Sequence, residues 1–497
     1  MKLLLELTRV LNKNKTKNIS VVSYNKTGTS KLDMFYRALI DGKITSDEEA
    51  FTLLYPGQTE MNPYYKLKHQ LRERLYQTVF FVDLKKSKYD NRESALLECQ
   101  SNVMLAKLLI RFGARENYIK LGKKVTSVAA KYQFTAEHIF GLSVASGVYA
   151  MAGQPDKVLS INKEMKELQQ LLSKESVSRS HWYHISSMYV VDRSKKPEVE
   201  ALIDEYLADI NSMPCSLNSG QLTYTTCALH LAKYMSVNEY QEAVPHGEAG
   251  LAEIMKLPFP YASAIFAIGI NLTACYVALK EFEKGERTLE IVRQHITVGK
   301  YNWFKHLEFS FLLSVHTKRF SNAYKVYQQV INHSKFKKLP NSIQETWIIY
   351  SAYLYLLHQS GRLSDWTDNN NFRIHRYLNS VPTFTKDKRG QNVPILISQF
   401  ILLLQRGDYD GVMDRYEATM KYRDRYLDKE KNFRANVFFR MMAEITKSDY
   451  NYNSTKRRTK DYRAMLDEVP VGVLQPSYDQ EVLPYEDLYD IILELLT

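Results

Sequence analysis

The chain has 497 residues and a formal net charge of +12, with 45% hydrophobic and 25% charged residues, the ordinary balance of a soluble folded protein. Nineteen Gly and fourteen Pro are few for this length. That shortage disfavours turn-dense sandwiches, barrels and Gly-rich phosphate loops, and favours helices with short connections.

The N-terminus, Met1 to Glu6, begins like a secretory leader, but Glu6 and Arg9 interrupt the apolar run and no small-residue cleavage site follows. Four isolated cysteines (Cys99, Cys215, Cys227, Cys275) form no metal-ligand cluster and fit a reducing compartment. A cytoplasmic protein is expected. Residues 13–31 carry five lysines and no acid, and read as a loop. Lys31 to Asp41 predicts a short helix stopped by Gly42. Ser46-Asp47-Glu48-Glu49 is a capping box opening a helix through Leu54. Asn62-Pro63 then starts a long helix whose apolar positions Tyr64, Leu67, Leu71, Leu75, Val79 and Val82 recur at three and four. Lys66, Lys68, Arg72 and Arg74 occupy its other faces.

Residues 1–90 therefore form an expected small basic helical domain, and two roles stay open for it. Its third helix can enter a DNA major groove with Lys13, Lys15, Lys17 and Lys26 along phosphates. Alternatively, the domain caps the open end of a helical array beyond residue 90.

Over residues 91–465 a helical hairpin recurs at a period near forty. Its turns fall at Arg115, Pro155, Pro197, Tyr240, Phe282, Phe320, Leu363, Tyr409 and Tyr450. An apolar helix runs in, a tight turn reverses it, and a second helix returns. Small residues early in the return helices (Ala201, Ala243, Gly285, Ala323) are expected to allow close approach, with Tyr327 and Leu289 filling the next gap. Leu272-x3-Tyr276, Gly285-x3-Leu289 and Ala323-x3-Tyr327 resemble the tetratricopeptide-repeat superfamily, with a longer period and without its Trp. The resemblance implies a right-handed superhelix of helix pairs that binds peptides or proteins on its concave face. The fold class expected is all-α, an irregular α-solenoid of about nine hairpins behind a small N-terminal helical domain.

Three stretches stand out within the array. Tyr261 to Leu279 has no charge over 19 residues, but its phase with the repeat and its Ser263, Asn271 and Thr273 favour a buried helix over a membrane span. Arg362 to Asn392 breaks the array with the polar runs Asp368 to Asn371 and Lys386 to Gln391. The basic run Thr455-Lys456-Arg457-Arg458-Thr459-Lys460 reads as a solvated connector.

No catalytic motif is present, so no enzyme activity and no cofactor is expected. His181 and His184 share a helical face, but their same-face neighbours Val177 and Met188 offer no further ligand, so no metal is expected.

The tail, residues 466–497, holds eight acids and no Lys or Arg, which leaves a net +20 on residues 1–465. Its end predicts an amphipathic helix with Tyr485, Leu488, Ile492 and Leu495 on one stripe and Glu486, Asp487, Asp490 and Glu494 elsewhere. We expect it to dock onto the basic array, either as a terminal cap or as an internal stand-in for an acidic partner peptide. The function expected is a scaffold or adaptor for protein or peptide partners. The alternative is a nucleic-acid-associated regulator in which the N-terminal helices touch DNA.

Overall fold

The computed structural model describes residues 1–13, 30–79, 91–191, 196–367, 372, 374–380, 392–426, 432–469 and 481–496. Lys15, Lys17, Lys26, Val82, the domain boundary expected near residue 90, and the polar runs 368–371 and 386–391 lie outside them. Among the described residues every regular element is helical. The chain divides into two compact units, Met1–Ala145 and Ser146–Thr497.

In the first unit, α1 (Lys2–Lys13), α2 (Lys31–Ile40), α3 (Asp47–Leu54) and α4 (Asn62–Val79) enclose one core around Leu4, Phe35, Leu54, Tyr64, Leu71 and Leu75. The capping box forms as expected: Ser46 Oγ accepts from the Glu49 N–H at 3.2 Å, and the Glu49 carboxylate accepts from the Ser46 N–H at 3.2 Å. Lys2–Lys13, which the sequence shows only as an apolar start, is a full helix, with Leu4 and Leu11 buried against α2 and α4. The helices α5 (Asn91–Arg111), α6 (Arg115–Tyr132) and α7 (Thr135–Met151) follow, with a second core at Cys99, Val125, Ala129 and Phe134.

Within the second unit, α8 (Pro155–Val191) corrects the expected spacing. A single 37-residue helix replaces the end of one hairpin and the start of the next. No Gly or Pro after Pro155 breaks it, so nothing local stops propagation. After α9 (Lys196–Ser212) the hairpins become regular: α10 (Gly220–Ser236) with α11 (Tyr240–Met255), α12 (Ala262–Ala278) with α13 (Phe282–Gln294), and α14 (Tyr301–His316) with α15 (Phe320–Ile331). Then come α16 (Asn341–Gln359), the seven-residue α17 (Ile374–Ser380), α18 (Asn392–Gln405) with α19 (Tyr409–Tyr426), and α20 (Phe433–Lys447) with α21 (Tyr452–Asp467). The last helix is α22 (Tyr485–Leu495).

Each pair packs on the next, and first helices also meet directly, α10 on α12, α12 on α14 and α16 on α18. This sequential packing is an all-α, solenoid-like arrangement. It explains the uncharged segment at 261–279: α12 is enclosed by α10, α11, α13 and α14, and no described helix is long and apolar enough to cross a membrane.

One turn design repeats along the chain. A residue with left-handed backbone ends the first helix: Gly153, Asn238, Lys280, Lys318, Gly361, Gly407 or Asp449. The next N–H then bonds a carbonyl five residues back, as in Glu281 to Tyr276 and Arg319 to Ser314, both at 2.8 Å. At Gly153, Asn238, Lys280, Lys318 and Gly407 the next helix begins two residues later.

The small residues expected to ease helix approach behave unevenly. Ala243 and Ala323 are fully buried, but Ala201 is exposed while Ile203 turns inward. A Cβ at Gly285 would meet its neighbours at 3.7 Å, ordinary contact, so that glycine is not what brings its helices together. At Gly141 in α7 the approach is obligatory. A Cβ there would lie 2.8 Å from the Thr126 backbone nitrogen of α6. Gly141→Ala is therefore expected to destabilise the first unit by about 1–3 kcal/mol in urea denaturation. A change within a few tenths of a kcal/mol would show that α6 and α7 can separate freely.

Candidate functional site

The tail supplies the site. Helix α22 begins after Pro484, whose fixed φ and missing N–H suit a helix entrance, and Glu486 and Asp487 lie in its first turn, favourable to the helix dipole. Tyr485, Leu488 and Ile492 of the expected stripe are buried, and Leu495 is partly so. Tyr489 and Ile491 are buried as well, so the covered face is wider than the stripe and α22 is held from more than one side. Tyr485 stacks on Phe438 of α20 with centroids 4.6 Å apart, and the Tyr489 hydroxyl meets Thr459 Oγ1 of α21 at 2.5 Å. The helix also packs on α18.

Arg434, near the start of α20, holds the entry to α22. Its Nε donates to Glu481 Oε1 at 2.5 Å, and its Nη2 donates to Glu481 Oε2 at 3.0 Å and to Glu486 Oε2 at 2.7 Å. Nη1 donates to the Val469 carbonyl at 2.9 Å and to the Leu466 carbonyl. All five N–H groups of a guanidinium are thereby used. The side chains of Arg434 and Glu481 are 5% and 2% exposed, so this is an ion pair removed from water. Burial alone would lower the guanidinium's affinity for its proton, but the two carboxylates reverse that and hold it above the usual range. Burial pushes the Glu481 carboxyl up to about 7, against the opposing pull of Arg434.

Earlier hairpins contribute the remaining contacts. His316, at the end of α14, donates from Nε2 to the Glu481 carbonyl at 3.0 Å, and burial drives its ring down to about 4, so it is neutral. Lys318, the left-handed residue of the α14–α15 turn, pairs with Asp487 at 2.7 Å. Arg362, just past α16, grips Glu494 through two bonds of 2.7 and 2.6 Å. One 11-residue helix is thus fastened to three hairpins. Reading the sequence did not single out Arg434, Glu481, His316, Lys318 or Arg362. A charge flanked by apolar residues, such as Arg434 beside Phe433 and ahead of Val437-Phe438-Phe439, is the signal that was available.

The other candidate residues are placed apart. On α4, Lys66 is exposed, while Lys68 is turned against the bundle and donates to Asp47 Oδ1 at 2.7 Å. Asp47 also accepts from the Tyr64 hydroxyl at 2.5 Å and lies 3.4 Å from the N-terminal amine. Burial opposes ionisation of Asp47, but Lys68 and Tyr64 outweigh it and hold its carboxyl below the usual range. Arg72 lies 3.7 Å from Glu73, and Arg74 is partly buried. At 100° per residue, Lys68 and Arg72 fall on one flank of α4 and Lys66 and Arg74 on the other, so the structure does not gather the four cations.

His181 and His184 of α8 serve to hold α9. His181 Nε2 bonds Asp209 at 2.8 Å and its ring stacks on Tyr206, while His184 Nδ1 meets the Tyr206 hydroxyl at 2.5 Å. Lys456, Arg457 and Arg458, expected in a connector, lie instead in α21, where Arg458 pairs with Glu444 at 3.3 Å. A separate cleft of 610 Å³ opens between α13 and α15 over α14, lined in part by Arg293, Trp303, His306 and Asn322. No protein-family model, curated protein or solved structure matches the chain.

Removing one partner of a buried ion pair strands the other. Arg434→Ala should therefore lower the unfolding free energy of the second unit by about 3–5 kcal/mol in urea titrations. Arg362→Ala, whose partner Glu494 is 57% exposed, should cost about 0–1 kcal/mol. Equal effects would remove Arg434 from its central position.

Because the folded state holds the Glu481 proton more tightly, this group's contribution to stability is complete below the usual carboxylate range and is lost as pH rises through about 7. The stability of Glu481→Gln relative to the unmodified chain should improve from pH 5 to about 7 and level off above it, by on the order of 3 kcal/mol in all. Buried His316 acts in the opposite direction in both proteins, so the difference between them isolates Glu481. A flat difference across that range would place an ionised Glu481 in the fold throughout.

Proposed function

We propose that this chain is a protein–protein interaction scaffold of the tetratricopeptide-like kind, taking helical or peptide segments of partner proteins on the first helices of its hairpins. The observation that carries this reading is α22 itself. A short amphipathic helix sits among α14, α18, α20 and α21, its apolar face covered and three of its acids, Glu486, Asp487 and Glu494, matched by cations from separate hairpins. Helix-in-groove recognition works by the same means, with apolar anchors for affinity and charge for orientation. The sequential packing supports the repeat reading, because each added pair extends a surface without closing it.

The test is site-specific photocrosslinking in the full chain. A benzophenone at exposed Ile348 on the first helix α16 is expected to capture a discrete partner that excess unlabelled chain competes away. The same group at exposed Met413 on the return helix α19 should capture nothing discrete. Capture at neither position, or equally at both, would sink the assignment to the first helices.

A further inference from the structure

Building on the scaffold reading, we infer that the groove occupied by α22 is a recognition site for an acidic amphipathic helix of a partner protein, and that the chain's own tail is its resident competitor. A terminal cap has only to cover α20 and α21, the last pair. The tail meets those through Phe438 and Thr459, but it also reaches back to His316, Lys318 and Arg362, which belong to two earlier hairpins. Covering the last hairpin does not require these pairs. Reading an acidic helix does.

Charges on the helix and the groove are complementary. Glu486 meets Arg434, Asp487 meets Lys318 and Glu494 meets Arg362. Each cation comes from a different hairpin, so the groove presents a spaced set of positive groups to carboxylates at fixed helical intervals. Lys318 is 66% exposed and Arg362 is 27% exposed, so two of the three can meet an incoming helix from solvent before the apolar stripe is buried.

Eleven residues are too few to hold a helix alone in water, so α22 owes its form to the groove, as a bound peptide ligand does. This defines the occupant's chemistry: a helix with two consecutive acids in its first turn, an apolar stripe at intervals of three and four, and an acid seven residues after the second of those two.

The experiment uses the full chain with the resident tail weakened. The probe is a fluorescein-labelled peptide of residues 481–496 monitored by fluorescence anisotropy, which needs no natural partner. Leu488→Asp puts a charge at a fully buried tail position and leaves the groove intact. Asp487→Lys with Glu494→Lys is the milder variant, reversing two partly exposed carboxylates so that Lys318 and Arg362 repel the resident helix. Either variant is expected to bind the peptide about tenfold or more tightly than the unmodified chain, whose tethered tail competes at high effective concentration. A peptide carrying the two lysine reversals should not bind.

If Leu488→Asp abolishes cooperative melting, the milder variant decides alone. No gain in peptide binding by any folded variant overturns the proposal and leaves the tail a structural cap. Association of the variants into dimers that exchange tails also overturns it, because the occupant would then be a second copy. Failure here with retained crosslinking at Ile348 removes only the acidic-helix occupant. Failure at Ile348 removes the scaffold reading beneath it.

Discussion

A helix pair can bury only one side of each member within itself, and the array beyond Ser146 depends on that constraint. Helix α12 shows it most plainly. Its residues from Ile268 to Ala278 are almost all buried, yet α13 can cover only part of that surface, and α10, α11 and α14 cover the rest. Each pair is therefore an incomplete core that its neighbours complete. The hydrophobic gain from burying one such side chain, about 1.5–3 kcal/mol, is realised only when the next pair is in place. A repeat in which every unit lacks a face must end with a face that no further hairpin covers. After α21, the apolar surface near Phe438 and Leu466 is met by α22.

The turns impose a second constraint. Reversing direction within three residues requires a left-handed residue after the first helix, and the chain supplies Gly at some hairpins and Asn, Lys or Asp at others. A non-Gly residue in that conformation costs about 1 kcal/mol, so these positions are not chosen for backbone economy alone. At Lys318 the return is visible: the same residue that ends α14 points an ammonium at Asp487. Local backbone geometry and a long-range ion pair share one side chain.

These constraints decide how much was legible. The hairpin period was, because the return helices start at residues with a clear apolar phase: Arg115, Pro155, Tyr240, Phe282, Phe320 and Tyr409 are the first residues of α6, α8, α11, α13, α15 and α19. The stripe of α22 was legible for the same reason. Helix α8 was misread because a forty-residue phase describes turns, and a segment without Gly or Pro need not turn where the phase says it should. On α4 the partner of one cation was hidden in another way. Counting Lys and Arg on a helix does not reveal that Lys68 is committed to Asp47, 21 residues away in sequence. Arg434 and Glu481 escaped altogether, since a buried pair 47 residues apart leaves no local pattern.

The charge asymmetry between body and tail then takes on a geometric meaning. Net charge alone would draw the tail toward any basic surface, and at about 8 Å of screening length it carries no address. Position comes from the buried end, where Arg434 has five donors and each meets one fixed acceptor. Shifting α22 by one residue would strand a donor or a carboxylate away from water. The exposed pairs at Lys318 and Arg362 act differently, since water screens them and either can open without leaving a buried charge behind. One end of the helix therefore fixes register and the other tolerates exchange. That division is what a groove needs if it is to hold its own tail in one place and still release it to a better-matched acidic helix.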